Sequence, residues 1–277
     1  MPDTKSKVLS YLEGNSGKFT SGEDIANKLN ISRNSVWKAI ESLRRDGFQI
    51  TAASRRGYSL SGKADSISLE EIKRYLPSSI NSDMIKVYDS LESTNKTAKS
   101  EASFDAPHGT VIIASRQTGG IGHNKHSFSS PVGGIYMSIV LRPEDFVIKN
   151  PDKIREFCVL SVCLAIEEAT GLSANIGPTN DIFIQEKKTC GILLEASSDF
   201  DTGEVQFLIA GIGIYFNSDL SDIPSELRST TGSLFKKDNA AITKNELIAG
   251  ILQRLLSSEK VDENMLSNEY HKRLMCT

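Results

Sequence analysis

Between Asn180 and Phe216 three strand-like stretches, "NDIFIQ", "KTCGILLEAS" and "VQFLIAGIGIYF", follow one another with no helical stretch between them. Strands joined so directly do not fit a doubly wound sheet, in which each strand leads into a helix. Upstream, "MIKVYDS", "GTVIIAS" and "GIYMSIVL" also read as strands. Helical patterns occupy "TNKTAKSEA", "NPDKIREFCVLSVCLAIEEATG" and "TKNELIAGILQRLLSSE". The expected class is therefore α+β, with one mixed sheet and helices over residues 69–262. There is no internal repeat and no low-complexity segment.

The first sixty residues are of another kind. Val8, Leu9 and Leu12 share one face of a short helix. "SGEDIANKLN" opens on Ser21, with Asp24 placed as in a capping arrangement, and Ile25, Ala26 and Leu29 form an apolar stripe. After a tight turn at "IS", Ser32 caps a second helix whose buried face is Val36, Ile40 and Leu43. Its exposed N-terminal end carries Ser32, Arg33, Asn34, Ser35 and Lys38. "FQITAASRRGYSL" then alternates apolar and polar residues around a turn bearing Arg55 and Arg56, the pattern of a β-wing whose arginines reach phosphates. Two short helices, a tight turn and a basic wing in that order predict a winged helix-turn-helix over residues 1–62, followed by a polar linker at 63–68. A plain helical hairpin with solvated charges is the alternative.

Charge supports the division. Ten Lys/Arg against six Asp/Glu give residues 1–60 a net +4, leaving −7 for the rest of a chain whose formal charge is −3. A basic head on an acidic body points to a polyanion, duplex DNA, for the head alone. The opening "MPDTKSKVLS" lacks the apolar core of a signal peptide, and no apolar run is long enough to span a bilayer. A cytoplasmic protein with no membrane partner is expected. Cys158, Cys163, Cys190 and Cys276 show no C-x-x-C spacing, so buried reduced thiols are expected rather than disulfides or a metal site.

"QTGGIGHNKHSFSSP", Gln117 to Pro131, has the glycines of an anion-cradling loop, Gly119, Gly120 and Gly122, but no arginine. Its cationic candidates are Lys125, His123 and His126. His123-x-x-His126 lacks a third ligand, so no metal is expected.

In order and spacing, "SLESTNKTA", "GTVIIASRQTGG", "FSSPVGGIYMSIVLRP", "PTNDIFI", "KKTCGILLEAS" and "IAGIGIYFN" resemble the biotin protein ligases. With the winged helix in front, the chain resembles the bifunctional ligase/biotin-operon repressors. The resemblance runs from residue 1 to about 275. It implies a biotin/lipoate-ligase-like mixed α/β domain that binds biotin and ATP, joins them as biotinyl-adenylate, and passes biotin to a lysine of a biotin carrier protein. It also implies a homodimer spanning two DNA half-sites. Residues 263–277 match the stub that leads into the family's small SH3-like C-terminal domain. By the same resemblance Ser93, Thr94 and Gln117 hydrogen-bond the fused ring of biotin, with Asn95, Gly119 and Gly120 beside them. Ser93-Thr94-Asn95 also reads as a plain helix N-cap. Lys188 is the catalytic cation at the carboxylate and adenylate oxygens. Gly191, Gly211 and Gly213 let backbone approach the ligand.

The nucleotide side departs from the family. Its loop reads Gly-Arg-Gly-Arg, a variable residue, Gly-Arg, where this chain has Gly120-Ile121-Gly122-His123 and then Lys125-His126. Ile121 and His123 replace two arginines, and Phe128 replaces a tryptophan. Of the family's Lys-Trp-Pro-Asn-Asp only Asn180 and Asp181 remain, with Gly177 in place of the lysine. The Asn of Gly-Ile-Gly-Ile-Asn is Tyr215. These departures favour a DNA-binding repressor whose ligase-like domain senses biotin, with ligation weak or lost and ATP and Mg²⁺ in question. Two alternatives stay open: an active but divergent biotin–protein ligase/repressor, and a regulator that senses a different small carboxylate.

Overall fold

The computed structural model describes residues 4–15, 17–45, 48, 50–54, 56–60, 66–146, 148–236, 240–257 and 262–275. Contacts divide the chain into two units, residues 1–66 and 67–277.

In the first unit α1 (Thr4–Glu13), α2 (Gly22–Leu29) and α3 (Arg33–Arg45) enclose Val8, Leu12, Ile25, Val36, Ile40 and Leu43. α2 and α3 each start on a capping serine. Ser21 Oγ accepts from Asp24 N at 3.0 Å and Ser32 Oγ from Ser35 N at 3.0 Å. β1 (Ile50–Ala53) and β2 (Gly57–Leu60) form the antiparallel wing, with Ile50 opposite Leu60 and Ala53 opposite Gly57. Gly57 has φ +94°, and a Cβ there would lie 2.2 Å from the Thr20 carbonyl oxygen. Only glycine lets the wing close on the backbone ahead of α2. Arg55 lies outside the described residues.

The second unit is a seven-stranded sheet in the order β3 (Ile85–Tyr88), β4 (Val111–Ala114), β5 (Ile135–Leu141), β9 (Val205–Ile214), β8 (Lys187–Ser198), β7 (Ile182–Ile184), β6 (Asn175–Ile176). β3 and β4 are parallel, joined through α5 (Thr94–Ser103), and every other pair is antiparallel. One face carries α6 (Pro151–Thr170) and α8 (Lys244–Leu256), with Ile113, Met137, Ile139, Ile192 and Ile212 beneath them. The other face is partly covered by α5, over Ile112, Val140 and Ile209. β5 is therefore buried on both faces, and all seven of its residues are inaccessible. α4 (Leu69–Tyr75) packs against α8, and the short α7 (Ser225–Arg228) follows β9.

Residues 263–275 belong to this unit. α9 (Glu263–Arg273) packs on α6 with Leu266 buried, and Met275 N donates to Ile176 O at 2.9 Å beside the edge strand. No helix among the described residues is long and apolar enough to cross a membrane. Cys158, Cys163 and Cys190 are free and buried, and Cys276 lies outside the described residues. Burial pushes the Cys158 and Cys163 thiols up to about 12 and raises the Cys190 thiol well above its ordinary value. In the native protein an aromatic disulfide reagent is thus expected to leave these three unreacted until denaturant is added. Rapid labelling of any of them in the folded state contradicts this packing.

Candidate functional site

The sheet face away from α6 and α8 carries an apolar furrow made of missing side chains. Gly191 lies opposite Gly213 across β8 and β9, and Gly211 lies opposite Ser138 across β9 and β5. Loop 117–131, the N-terminal turn of α5 and Lys188 close over the furrow and leave a cavity of about 280 Å³. Ser93, Thr94, Asn95, Gln117, Ile121, Gly122, His123, Phe128, Asp181, Lys188, Gly191, Gly211 and Gly213 all line it. Gly119, Gly120 and Asn180 do not line it. Gly119 N donates to Glu92 O at 2.8 Å, and Gly120 O accepts from Phe128 N at 2.9 Å, which folds the loop on itself. Asn180 sits at φ +64°, and its Oδ1 turns to α9, accepting from Tyr270 Oη at 2.7 Å.

The α5 end of the cavity is a buried polar network. Ser93 caps α5, and the helix start aims Thr94 and Asn95 inward, so the cap and the pocket roles are held by successive residues. Gln117 Oε1 accepts from Thr94 N at 2.8 Å and lies 3.1 Å from Thr94 Oγ1, while its Nε2 donates to Ser130 Oγ at 3.1 Å. Ser138 Oγ is 2.6 Å from Asn95 Oδ1 and 2.8 Å from Thr94 Oγ1. Asn95 Nδ2 donates to Glu195 Oε2 at 2.8 Å. The Thr94 and Ser138 hydroxyls thus share two protons among three oxygen–oxygen contacts. Ser138 and Glu195 are additions to the residues expected from motifs. The signal for Ser138 was a lone polar residue inside "IYMSIVL", an otherwise apolar strand buried on both faces.

The opposite end is arranged differently. The Phe128 ring lies over the glycine furrow: a Cβ on Gly191 would come within 2.7 Å of it and one on Gly213 within 2.4 Å. Tyr215 stacks on Phe128 with centroids 5.6 Å apart and rings 8° from parallel, and its hydroxyl donates to Ser129 O at 3.3 Å. Burial first, and the Asp181 charge second, push the Tyr215 phenol up to about 12, so it stays a neutral donor. His123 Nε2 bonds Ile192 O at 3.0 Å, tying the loop to β8. Lys188 Nζ donates to Asp181 Oδ2 at 2.7 Å, and Thr179 Oγ1 donates to the same oxygen at 2.8 Å. Gly177 carries no cation, and a Cβ there would meet the Phe183 ring at 2.6 Å.

In the first unit Arg33, Asn34 and Lys38 are exposed on α3. Ser32 and Ser35 hydroxyls bond one another at 2.8 Å, which leaves them as cap residues. Arg56 lies over the Phe19 ring at 4.3 Å. Trp37, 52% exposed on the same helix, joins this face and was not signalled by charge.

Comparison with known proteins agrees with both units. Residues 4–59 match an HTH domain model, and residues 87–214 match that of the biotin/lipoate A/B protein ligase family. The bifunctional ligase/repressor BirA of Bacillus subtilis is 37% identical over 258 residues, 92% of this chain and 77% of that protein. The chain belongs to the bifunctional biotin ligase/repressor family. A biotin protein ligase from Aquifex aeolicus, solved in complex with biotin and ATP, aligns with TM-score 0.58 at 26% identity, covering 69% of this chain and 78% of that one. The ligase of Leishmania major in complex with biotinyl-5-AMP shares the fold, with TM-score 0.57 at 20% identity over 69% of this chain and 81% of that one.

Proposed function

We propose that this family member is a cytoplasmic, homodimeric DNA-binding repressor whose ligase-like domain binds biotin as a ligand and has little or no ligase activity. The observation that carries the reading is the contrast between the two ends of the cavity. Ser93, Thr94, Asn95 and Gln117 bring hydroxyl and amide groups, donors and acceptors both, to one end of the cavity, which suits a ring with two N–H groups and a carbonyl, the chemistry of a ureido head. At about 280 Å³ the space lies just below the roughly 300–1,000 Å³ of pockets for drug-sized ligands, enough for a small ring with a short chain. The space beside it is poorly suited to ATP. Phe128, stacked on Tyr215, lies over the furrow, the arginine positions hold Ile121 and His123, and Asp181 Oδ2 is engaged by Lys188 and Thr179. Transfer to a biotin carrier protein, which needs the adenylate, fails with it.

Titration calorimetry with biotin, with ATP and with both is the test. Biotin should bind alone and ATP should add nothing. Absence of biotin binding at millimolar ligand removes the biotin reading and favours a regulator of another ligand.

For the head, Arg33→Ala and Lys38→Ala should weaken binding to an operator duplex selected by the protein from a random pool. Arg56→Ala should lower affinity for selected and unselected duplexes alike and reduce the salt slope by about one counterion. Salt-independent binding, or none by the folded protein, contradicts the repressor role.

A further inference from the structure

On α3 the smaller apolar side chains face inward: Val36, Ala39, Ile40 and Leu43 are buried in the core of the first unit. Trp37, the largest apolar side chain of the helix, lies off that face with 52% of its surface exposed. Asn34 and Arg33, three and four residues before it, border it on the helix surface, and Lys38 follows Asn34 by four. All three are exposed. Arg33 is 3.8 Å from Glu23 in a solvated pair, which holds it weakly. Ser32 and Ser35 are occupied as cap residues. The outward surface of the first two turns thus sets one indole among three polar side chains.

The N-terminal part of a recognition helix meets base edges in the major groove. Donors and acceptors there suit Arg33, Asn34 and Lys38. The C5-methyl of thymine is the one apolar group among those edges, and it sits beside the thymine O4 acceptor. An indole matches that pair: its ring face covers the methyl, and its single N–H, a donor only, suits O4. Cytosine presents an amino donor at the same place, against which the indole N–H has no partner. An apolar side chain also gains nothing from the phosphates, which are alike in every sequence.

We propose that Trp37 is a specificity-determining residue of the head and reads the methyl group of one thymine in each operator half-site. The proposal rests on the repressor reading above. It assigns to an apolar contact a share of sequence preference that Arg56 on the wing, a phosphate contact, does not supply. It also accounts for a large apolar side chain kept in water on a helix whose core positions are already filled.

The test uses the full chain and an operator duplex selected from a random pool, with deoxyuridine put in place of thymine one position at a time, which removes only the methyl. At one thymine in each half-site the replacement should weaken binding about fourfold, the worth of one buried methyl group. In Trp37→Ala, checked for folding by its unfolding curve, that position should accept thymine and uracil alike, and Trp37→Phe should keep part of the distinction. Trp37 is the chain's one tryptophan, so the intrinsic emission should change when the operator binds. An operator with no methyl-sensitive thymine, the same thymine preference in Trp37→Ala as in the unmodified chain, or an unchanged emission in the saturated complex overturns the proposal while leaving DNA binding standing. No duplex bound by the folded protein defeats the repressor reading itself and this inference with it.

Discussion

Biotin-dependent pyrophosphate exchange is expected to run at least about a hundredfold slower in this protein than in a family ligase with all its loop arginines. Adenylation brings a carboxylate against a triphosphate, and the repulsion must be cancelled by cations fixed in place before the reaction. One preorganised donor to developing negative charge is worth roughly 10²–10³ in rate, and two arginines and a lysine are missing together. The structure adds a steric cause. Phe128 rests on Gly191 and Gly213, stacked on Tyr215, so the backbone approach that those glycines permit is occupied by the protein's own ring. Ile121→Arg with His123→Arg should raise the rate, because it restores two cations and releases the His123 bond to Ile192. Adding Gly177→Lys should not help, since its side chain would collide with Phe183. A rate in the unmodified protein equal to that of an ordinary family member overturns the sensor reading.

The second large effect belongs to the polar end. Thr94→Val removes a hydroxyl that lies 2.8 Å from Ser138 Oγ and 3.1 Å from Gln117 Oε1, while keeping the shape of the side chain. Thr94 is 3% exposed and Ser138 wholly buried, so water does not replace the lost partner. The expected cost is about 1–3 kcal/mol in ligand binding, some 5- to 150-fold in Kd. Ligand affinity is measured by calorimetry beside an unfolding curve, which separates binding from stability. An unchanged Kd in a folded variant removes Thr94 from the site.

Much of the fold was legible because its strands are long and apolar and its helices carry their own start signals. Ser21, Ser32, Ser93 and Thr243 each precede a helix and cap it. α4 and β6 were not legible: seven residues and two residues are too short for a periodic signal. In sequence α9 resembles only a lead-in segment, because its polar surface hides a single buried anchor, Leu266. The site divides in the same way. Ser93, Thr94, Gln117 and Lys188 are local motif residues, and the structure brings them to one cavity. Asn180 stands in a motif too, yet a left-handed backbone turns it toward Tyr270. The placement of Phe128 depends on which glycines face each other across β8 and β9. That register is set by the whole sheet rather than by any motif.

The most direct test is operator affinity in the presence of saturating biotin, measured with and without ATP and Mg²⁺ on the same duplex, with the bound ligand then extracted and identified. A sensor of biotin itself has no need of the adenylate. Ligand alone should therefore change the affinity for DNA, ATP should change it no further, and the extracted ligand should be unmodified. A further tenfold or greater change on adding ATP (about 1.4 kcal/mol), with biotinyl-AMP recovered from the protein, contradicts the account.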